Sequence, residues 1–207
     1  LMNYRHYSDK NRVHIDFMTK FKIIIIFIFI FFLASCSNSY NHISKNELKY
    51  SNEFSKHLID FYKEKADFEA KEMHDWDSAK LYAEKAIDAS AGKNIIPEKI
   101  SYWNLKNNNI SDINVSYVNL MNIYDDAIKS DPYNLAKAIV SLDCWGEQLE
   151  ESWQKWDIKK CKDDFINAMH NIYQNLDKSQ KNEIKKEDNA NNNVTIVTED
   201  KKKNILQ

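Results

Sequence analysis

The sequence predicts an all-α fold of about five helices in antiparallel hairpins, and three observations favour it. The 207 residues include only two glycines and two prolines, whereas β-rich folds need the many turns that these residues supply. Apolar residues recur at three- and four-residue spacing along most of the chain, and no stretch alternates convincingly with period two. Aromatic residues make up 13% of the chain, which is enough for a hydrophobic core and argues against general disorder.

The first two predicted helices are separated by a short polar break. The first covers about Lys45–Met73, where aromatic and aliphatic residues share one face. Asp75 is a candidate N-cap of the second helix, because its side chain can accept a backbone hydrogen bond from the first turn. Gly92 is a candidate stop, since glycine tolerates the left-handed conformation with which many helices end.

Three further helices are predicted in the second half of the chain. The third starts at Ser111 or Asp112, and Asp157 is a candidate cap of the fifth. Asp131 caps the fourth, and Pro132 suits its first position because the N–H that proline lacks would have no helical partner there.

Small residues in the helix pairs give a faint repeat. Ala79, Ala86, Ala127 and Pro132 fall where tetratricopeptide units place small residues and a terminal proline. The pattern covers at most one and a half units, and any close helix crossing needs small residues. We therefore expect a tetratricopeptide-like helical bundle, and the repeat bears on architecture alone.

The N-terminal segment has the composition of a targeting signal. Eleven unbroken apolar residues, 23–33, follow two closely spaced lysines. A membrane-spanning helix needs about 20 apolar residues, so this run fits the core of a secretory signal, with an unusually short anchor helix as the alternative. Met18 would be a normal signal start. We expect 18–35 to be the signal peptide and 1–17 to be a misannotated upstream extension.

The apolar run ends in Leu33, Ala34, Ser35 and Cys36, which resembles the bacterial lipobox. The resemblance implies that the Cys36 thiol receives a diacylglycerol and that the chain is cleaved ahead of it. It also implies sorting to the outer membrane, for which Ser37 is suitable. Buried acyl chains contribute about 0.8 kcal/mol per CH₂, so a multiply acylated N-terminus stays on the membrane without a spanning helix.

Composition divides the remaining chain into three parts. We expect 36–46 to be a linker, 47–177 a helical domain, and 178–207 a disordered tail, because the tail mixes charges without an apolar face. Residues 1–35 hold five of the 29 basic and two of the 31 acidic residues, so the remainder carries a net charge of -5. A mildly acidic protein offers no broad positively charged surface for the phosphate backbone of a nucleic acid, which argues against nucleic-acid binding.

Three stretches of the predicted domain are distinctive: FEAKEMHDWDSAKLYAEKA at 68–86, AGKNIIPEKISYWNL at 91–105 and DCWGEQLEESWQKWDIKKCKDDF at 143–165. Together they resemble the N-terminal helical region of alphaproteobacterial OmpA-family lipoproteins. In that family a peptidoglycan-binding domain with its own Asp and Arg signature follows. We find no such signature here, so the resemblance implies a lipid-anchored helical module but does not carry peptidoglycan binding over.

Cys144 and Cys161 are the only cysteines besides Cys36. In an exported chain this pair favours a disulfide, which would stabilise the fold by about 3 kcal/mol in the chain-entropy model. The two residues lie level across an antiparallel hairpin if the fourth helix ends near Glu150. Cys144 points away from the main apolar stripe, so the fourth helix would have to pack on two sides. Two buried free thiols are the alternative.

Asp143, Glu147 and Glu151 recur at four-residue spacing and therefore share one helix face. We expect a solvated acidic face, which is the common case. Paired carboxylates also serve as glycosidase acid and base, about 5–9.5 Å apart across a cleft. A trough lined by carboxylates and tryptophan would favour activity on the cell wall, whereas a convex face would oppose it.

No other catalytic or metal-binding pattern is present in the sequence. Glu72, His74 and Asp75 are nearly consecutive, so their side chains diverge on a helix, and we expect no metal site. Two glycines cannot form a glycine-rich phosphate loop, and nothing suggests an activated nucleophile. We expect no cofactor and no enzymatic activity.

The five tryptophans are numerous for a domain of this size. Core packing is expected for most, while Trp153 and Trp156, with Glu147 and Glu151, are candidate partner-binding residues. The sequence therefore predicts a non-enzymatic scaffold or protein-binding module, held by lipid on the periplasmic side of the bacterial outer membrane, with an unidentified envelope protein as partner. The alternative is a peptidoglycan-binding or cell-wall-active protein.

Overall fold

The computed structural model describes residues 38–178, and it confirms an all-α bundle: no strand occurs in this part of the chain. Its six α-helices are α1 (Asn38–Lys45), α2 (Glu53–Phe68), α3 (Trp76–Ser90), α4 (Asn107–Ser130), α5 (Pro132–Glu151) and α6 (155–178). A π-helical segment, Glu69–Met73, continues α2, and a 3₁₀ turn, Ile100–Tyr102, precedes α4.

The predicted N-terminal and C-terminal segments lie outside the described residues. This applies to the upstream extension 1–17, to the signal peptide 18–35 with its Leu33, Ala34 and Ser35, to Cys36, and to the tail from residue 179 onward. None of the helices within 38–178 is both long enough and apolar enough to cross a membrane.

One correction concerns 36–46, which we expected to be a linker. It contains α1, whose Tyr40 and Ile43 are buried because their three-residue spacing puts both on the face that packs against α3. The Tyr40 hydroxyl donates a hydrogen bond of 2.8 Å to Asp67 on α2. Eight residues give too few apolar positions for a stripe to be recognised, so only tertiary packing identifies this helix.

The predicted first helix is also corrected at its start. It begins at Glu53 rather than near Lys45, because Asn52 and Ser55 form a capping box: Ser55 N–H donates to the Asn52 side chain, and Asn52 N–H donates to Ser55 Oγ. This reciprocal pairing satisfies two of the backbone donors that a helix start leaves without partners.

Two predicted caps are confirmed. Asp75 accepts hydrogen bonds from the backbone of Asp77 (2.9 Å) and Ser78 (3.1 Å) at the start of α3. Asp131 accepts one from Asn134 N–H at 3.1 Å and begins α5, with Pro132 in the first position. Gly92 lies just beyond the end of α3 with φ +78°, as expected for a helix stop.

Two predicted helix starts are wrong. α4 begins at Asn107 rather than at Ser111 or Asp112, and the residue before it makes no side-chain cap that could have marked the start. α6 begins at residue 155, so Asp157 lies within its first turn, where it is buried instead of capping the helix.

α5 is the central helix of the bundle. It packs against α2 and α4 and is joined to α6, and every residue from 138 to 149 is buried. Trp103, from the connection between α3 and α4, lies so close to Gly146 that a Cβ there would come within 2.7 Å of the indole Cδ1. A helix buried all round is normally apolar throughout, yet α5 carries Asp143 and Glu147 at its centre.

Cys144 on α5 and Cys161 on α6 are joined as a disulfide, with Cα atoms 5.7 Å apart. Both residues are buried. The position of Cys144 away from the main apolar stripe is explained by the burial of α5 on all sides. Trp145 and Phe165 pack beside the bridge with ring centroids 6.2 Å apart, so covalent and apolar contacts together hold α5 and α6 side by side.

Removing the bridge should destabilise the domain. Cys144→Ala and Cys161→Ala should each lower the free energy of unfolding by about 2–4 kcal/mol, because the unfolded chain gains conformational freedom. The double variant should cost little more than either single one, since the first loss already breaks the shared bond. Chemical denaturation measures these free energies of unfolding. Reductant should lower the unfolding midpoint of the wild type and leave those of the variants unchanged. Additive single-variant effects would contradict the bridge.

Candidate functional site

Asp143, Glu147 and Glu151 share one face of α5, as their spacing predicts, but the expected solvated acidic face is wrong. Asp143 is fully buried, Glu147 is 3% exposed, and Glu151 is partly buried. Side chains of α2 and α3 and the connection after α3 cover this face. The carboxylates are therefore part of the interior, where each needs a partner.

The Asp143 end of the face is fully paired. Asp143 Oδ2 accepts hydrogen bonds from Lys85 Nζ and from the Tyr62 hydroxyl, both at 2.7 Å. Its Oδ1 accepts one from the backbone N–H of Glu98 at 2.6 Å. Lys85 also donates to the Ile96 carbonyl at 3.1 Å and lies 3.0 Å from Glu98 Oε1. This end holds α3 and the following connection against α5.

The two charges of this pair perturb one another. Burial raises the pKa of Asp143, while the Lys85 ammonium opposes that effect by favouring the carboxylate. Burial alone would lower the pKa of Lys85, but Asp143 and Glu98 outweigh it and raise that pKa. Breaking a buried pair of this kind leaves an uncompensated charge, so we assign Lys85 and Asp143 a structural role.

The Glu147 end of the face is only partly paired. Glu147 Oε2 accepts hydrogen bonds from the Tyr82 hydroxyl at 3.3 Å and from Gln148 Nε2 at 3.0 Å. Its Oε1 has no hydrogen-bond partner among the described residues, and neither has Glu151 Oε2. Burial raises the pKa of Glu147 to about 7, and it also raises the pKa of Glu151.

Asp75 adds a third carboxylate to this end. One oxygen each of Asp75, Glu147 and Glu151 lies within 4.8 Å of the other two. Within 38–178 none of the three forms an ion pair. They line a cavity of about 280 Å³, which Trp103 and Glu150 also line. We call these three residues the carboxylate cluster.

Glu69 is a further buried acid near the cluster. It is 1% exposed, and neither of its carboxylate oxygens has a hydrogen-bond partner in the described part of the chain. Burial, followed by the charge of Glu147, raises the pKa of Glu69 to about 8. It begins the π-helical segment, whose end accommodates His74 in the left-handed conformation with φ 57°.

The predicted partner-binding residues separate into two groups. Trp153, in the turn between α5 and α6, is 67% exposed, and Trp156, in the first turn of α6, is 60% exposed. Ser152 ends α5 in the left-handed conformation, with its N–H donating to the Gln148 carbonyl at 3.0 Å. Glu147 lies inside the protein, so its expected contact with a partner protein is wrong, and Glu151 is partly buried. Both tryptophans are accessible.

Sequence reasoning missed the basic and phenolic partners of the buried carboxylates. Lys85 follows Tyr82 by three positions on α3, so it lies at the edge of a face on which Ala79, Ala83 and Ala86 are fully buried. A lysine at that register position, next to an alanine-rich face, was the signal that could have revealed a buried ion pair.

Comparisons of the chain with models of protein families, with curated proteins and with solved structures found no match. Fold and site together define the class: an all-α bundle whose central helix bears an aspartate paired with a buried lysine. One turn further on, the same helix meets a cluster of carboxylates that form no ion pair within 38–178.

Glu69→Gln should make the stability of the protein less sensitive to alkaline pH. A carboxyl whose pKa rises from 4.5 in the unfolded chain to about 8 binds its proton more tightly when folded. The protonated Glu69 carboxyl therefore makes its whole contribution to the free energy of unfolding below about pH 4.5, and this contribution is lost as the pH rises through about 8. In metal-free buffer near pH 9, the variant should be more stable than the wild type by roughly 2–4 kcal/mol, with equality near about pH 5.

Glu72→Gln is the matched control, because Glu72 lies in the same π-helical segment but is exposed. It should leave the pH profile of denaturant unfolding unchanged. Parallel profiles for the wild type and Glu69→Gln would show that the Glu69 carboxyl is not perturbed.

Proposed function

We propose that the protein is a non-enzymatic scaffold or protein-binding module, held by lipid on the periplasmic side of the bacterial outer membrane. One observation carries the binding role: two large aromatic side chains, one in the turn between α5 and α6 and one in the first turn of α6, are exposed to solvent beside helices that a disulfide joins. The partner is an envelope protein with a groove that accepts indole rings.

Trp153 and Trp156 are suited to contact with a partner protein. Tryptophan is enriched among the residues that dominate binding energy at protein interfaces, because burying its large ring removes much apolar surface from water. Trp153 lies in the turn between two helices linked by the Cys144–Cys161 bridge, and Trp156 lies in the first turn of the second of these helices. A fixed turn loses little conformational entropy on binding, so more of the contact energy appears as affinity.

The lipid anchor rests on the resemblance of residues 33–36 to a lipobox and of 68–176 to the helical region of OmpA-family lipoproteins. α1 begins at Asn38, two positions after Cys36. A lipid on Cys36 would therefore hold the helical domain against the membrane surface rather than at the end of a long tether.

A tetratricopeptide-like arrangement of the helix pairs is part of this proposal. Supporting it, α2 and α3 pack closely along Ala79, Ala83 and Ala86, all fully buried, and the rings of Tyr62 and Tyr82 stack with centroids 6.1 Å apart. Small residues at such a crossing allow two helix backbones to approach.

The test is in-cell crosslinking followed by capture of the protein and identification of what is bound. The double variant Trp153→Ala/Trp156→Ala should lose the crosslink to one specific envelope protein, since both indole rings that contact the partner are removed. Tyr173→Ala is the matched control, because Tyr173 is 45% exposed on α6 and carries a ring of similar kind. In the same cells Cys36→Ser should abolish palmitate incorporation. An unchanged crosslinking pattern in the double variant would overturn the binding role of the tryptophans.

A second candidate is a peptidoglycan-binding or cell-wall-active protein, which the carboxylate-lined cavity favours. Glu147, with its pKa raised to about 7, has the property required of a general acid, and Trp103 supplies an aromatic wall. Co-sedimentation of the protein with purified sacculi, together with analysis of released fragments, tests this. Binding or release lost in Glu147→Gln would support it, whereas a protein that stays in the supernatant and releases nothing would contradict it.

A further inference from the structure

The carboxylate cluster has the dimensions of a site for a single metal ion. Its three oxygens, one each from Asp75, Glu147 and Glu151, all lie within 4.8 Å of one another. Oxygen ligands bind Ca²⁺ at about 2.3–2.6 Å, so two ligands on opposite sides of the ion lie up to about 4.6–5.2 Å apart. All three carboxylates can therefore reach one ion without a change in the backbone.

A second feature points to a ligand independently of the clustering. Glu147 is 3% exposed and lines the cavity, and its Oε1 lacks a donor among the described residues. Its Oε2 is already used by Tyr82 and Gln148. A buried oxygen without a partner costs roughly 1–3 kcal/mol, so native proteins rarely leave one. Oε1 is therefore the oxygen of Glu147 for which the described residues provide no donor.

The two ends of the same helix face differ in how their charge is balanced. Asp143 is paired with Lys85, whose Nζ lies 2.7 Å away. Four residues further on, Glu147 has two more carboxylates as neighbours. None of the described lysines or histidines forms an ion pair with any of the three. The chain supplies a cation at one end of the face only.

We propose that Asp75, Glu147 and Glu151 bind a hard divalent cation, for which Ca²⁺ is the best match. A donor set made only of oxygen atoms favours calcium, magnesium or manganese over zinc and copper. Magnesium requires near-ideal octahedral geometry, whereas calcium accepts irregular carboxylate sets completed by water, for which a cavity of about 280 Å³ has room.

The ion would have a structural consequence. Asp75 uses its Oδ1 to cap α3, which leaves the other oxygen for the metal, while Glu147 and Glu151 both belong to α5. A cation shared between them would fasten the start of α3 to the end of the central helix, next to the turn that carries Trp153.

The experiment is calorimetric titration of the full chain, stripped of metal with EDTA, with Ca²⁺. We expect one site with a dissociation constant in the range of about 10⁻⁴–10⁻³ M that is usual for extracellular calcium modules, and weaker binding of Mg²⁺. Tb³⁺, a calcium substitute, should bind with luminescence excited through the indole of Trp103, which lines the same cavity, and Ca²⁺ should displace it.

Isosteric variants localise the binding. Glu147→Gln keeps the shape of the side chain but removes a charged ligand, so Ca²⁺ affinity should fall by roughly 100-fold or more. Asp75→Asn should also weaken binding while retaining the helix cap, because asparagine caps as well as aspartate. Glu150→Gln is the matched control: it makes the same charge change on the wall of the same cavity, outside the carboxylate cluster, and should leave affinity unchanged.

Three results would overturn the proposal. One is the absence of saturable Ca²⁺ or Tb³⁺ binding by the folded protein. Another is an equal loss of affinity in Glu150→Gln and Glu147→Gln, which would indicate a diffuse charge effect. Tighter binding of Mg²⁺ than of Ca²⁺ would overturn the identity of the ion. Circular dichroism establishes whether each variant is folded. If Glu147→Gln does not fold, the Ca²⁺ affinity of Asp75→Asn supplies the test.

Discussion

The ion pair between Lys85 and Asp143 is the interaction on which the rest of the structure depends. The central part of α5, residues 138–149, is buried on every side, so a charged group there must find a partner inside the protein or lose its hydration without compensation. Lys85 provides that partner, and by contacting Ile96 and Glu98 it also fixes the connection between α3 and α4 over the central helix. Removing one partner of such a pair typically costs about 3–5 kcal/mol.

That connection carries Trp103 onto Gly146, and Trp103 also lines the cavity that the carboxylate cluster lines. The apolar contact and the polar cluster therefore depend on the same segment. Beyond the cluster, α5 ends at Ser152, and the disulfide holds the turn that exposes Trp153. Under the proposed binding role, accessible aromatic rings beside disulfide-linked helices would form the binding surface before the partner arrives.

The sequence by itself determined the features that depend on neighbours within about four positions. Helical periodicity, the caps at Asp75 and Asp131 and the stop at Gly92 are local, since each concerns hydrogen bonds or φ angles within a single turn. The same reasoning placed Asp143 and Glu147 on one helix face. It failed for the eight residues of α1, which are too few to show a stripe.

Only the tertiary structure decided whether that face meets water or protein. Tyr62 reaches Asp143 from 81 positions away and Tyr82 reaches Glu147 from 65, and no local pattern encodes such distances. Lys85 has the same local sequence features as a surface lysine until α5 packs against it. Asp75 could be recognised as a cap, but its meeting with Glu147 and Glu151 follows from how α3 lies on α5. Burial is set by what packs against a residue, and that is a property of the whole chain.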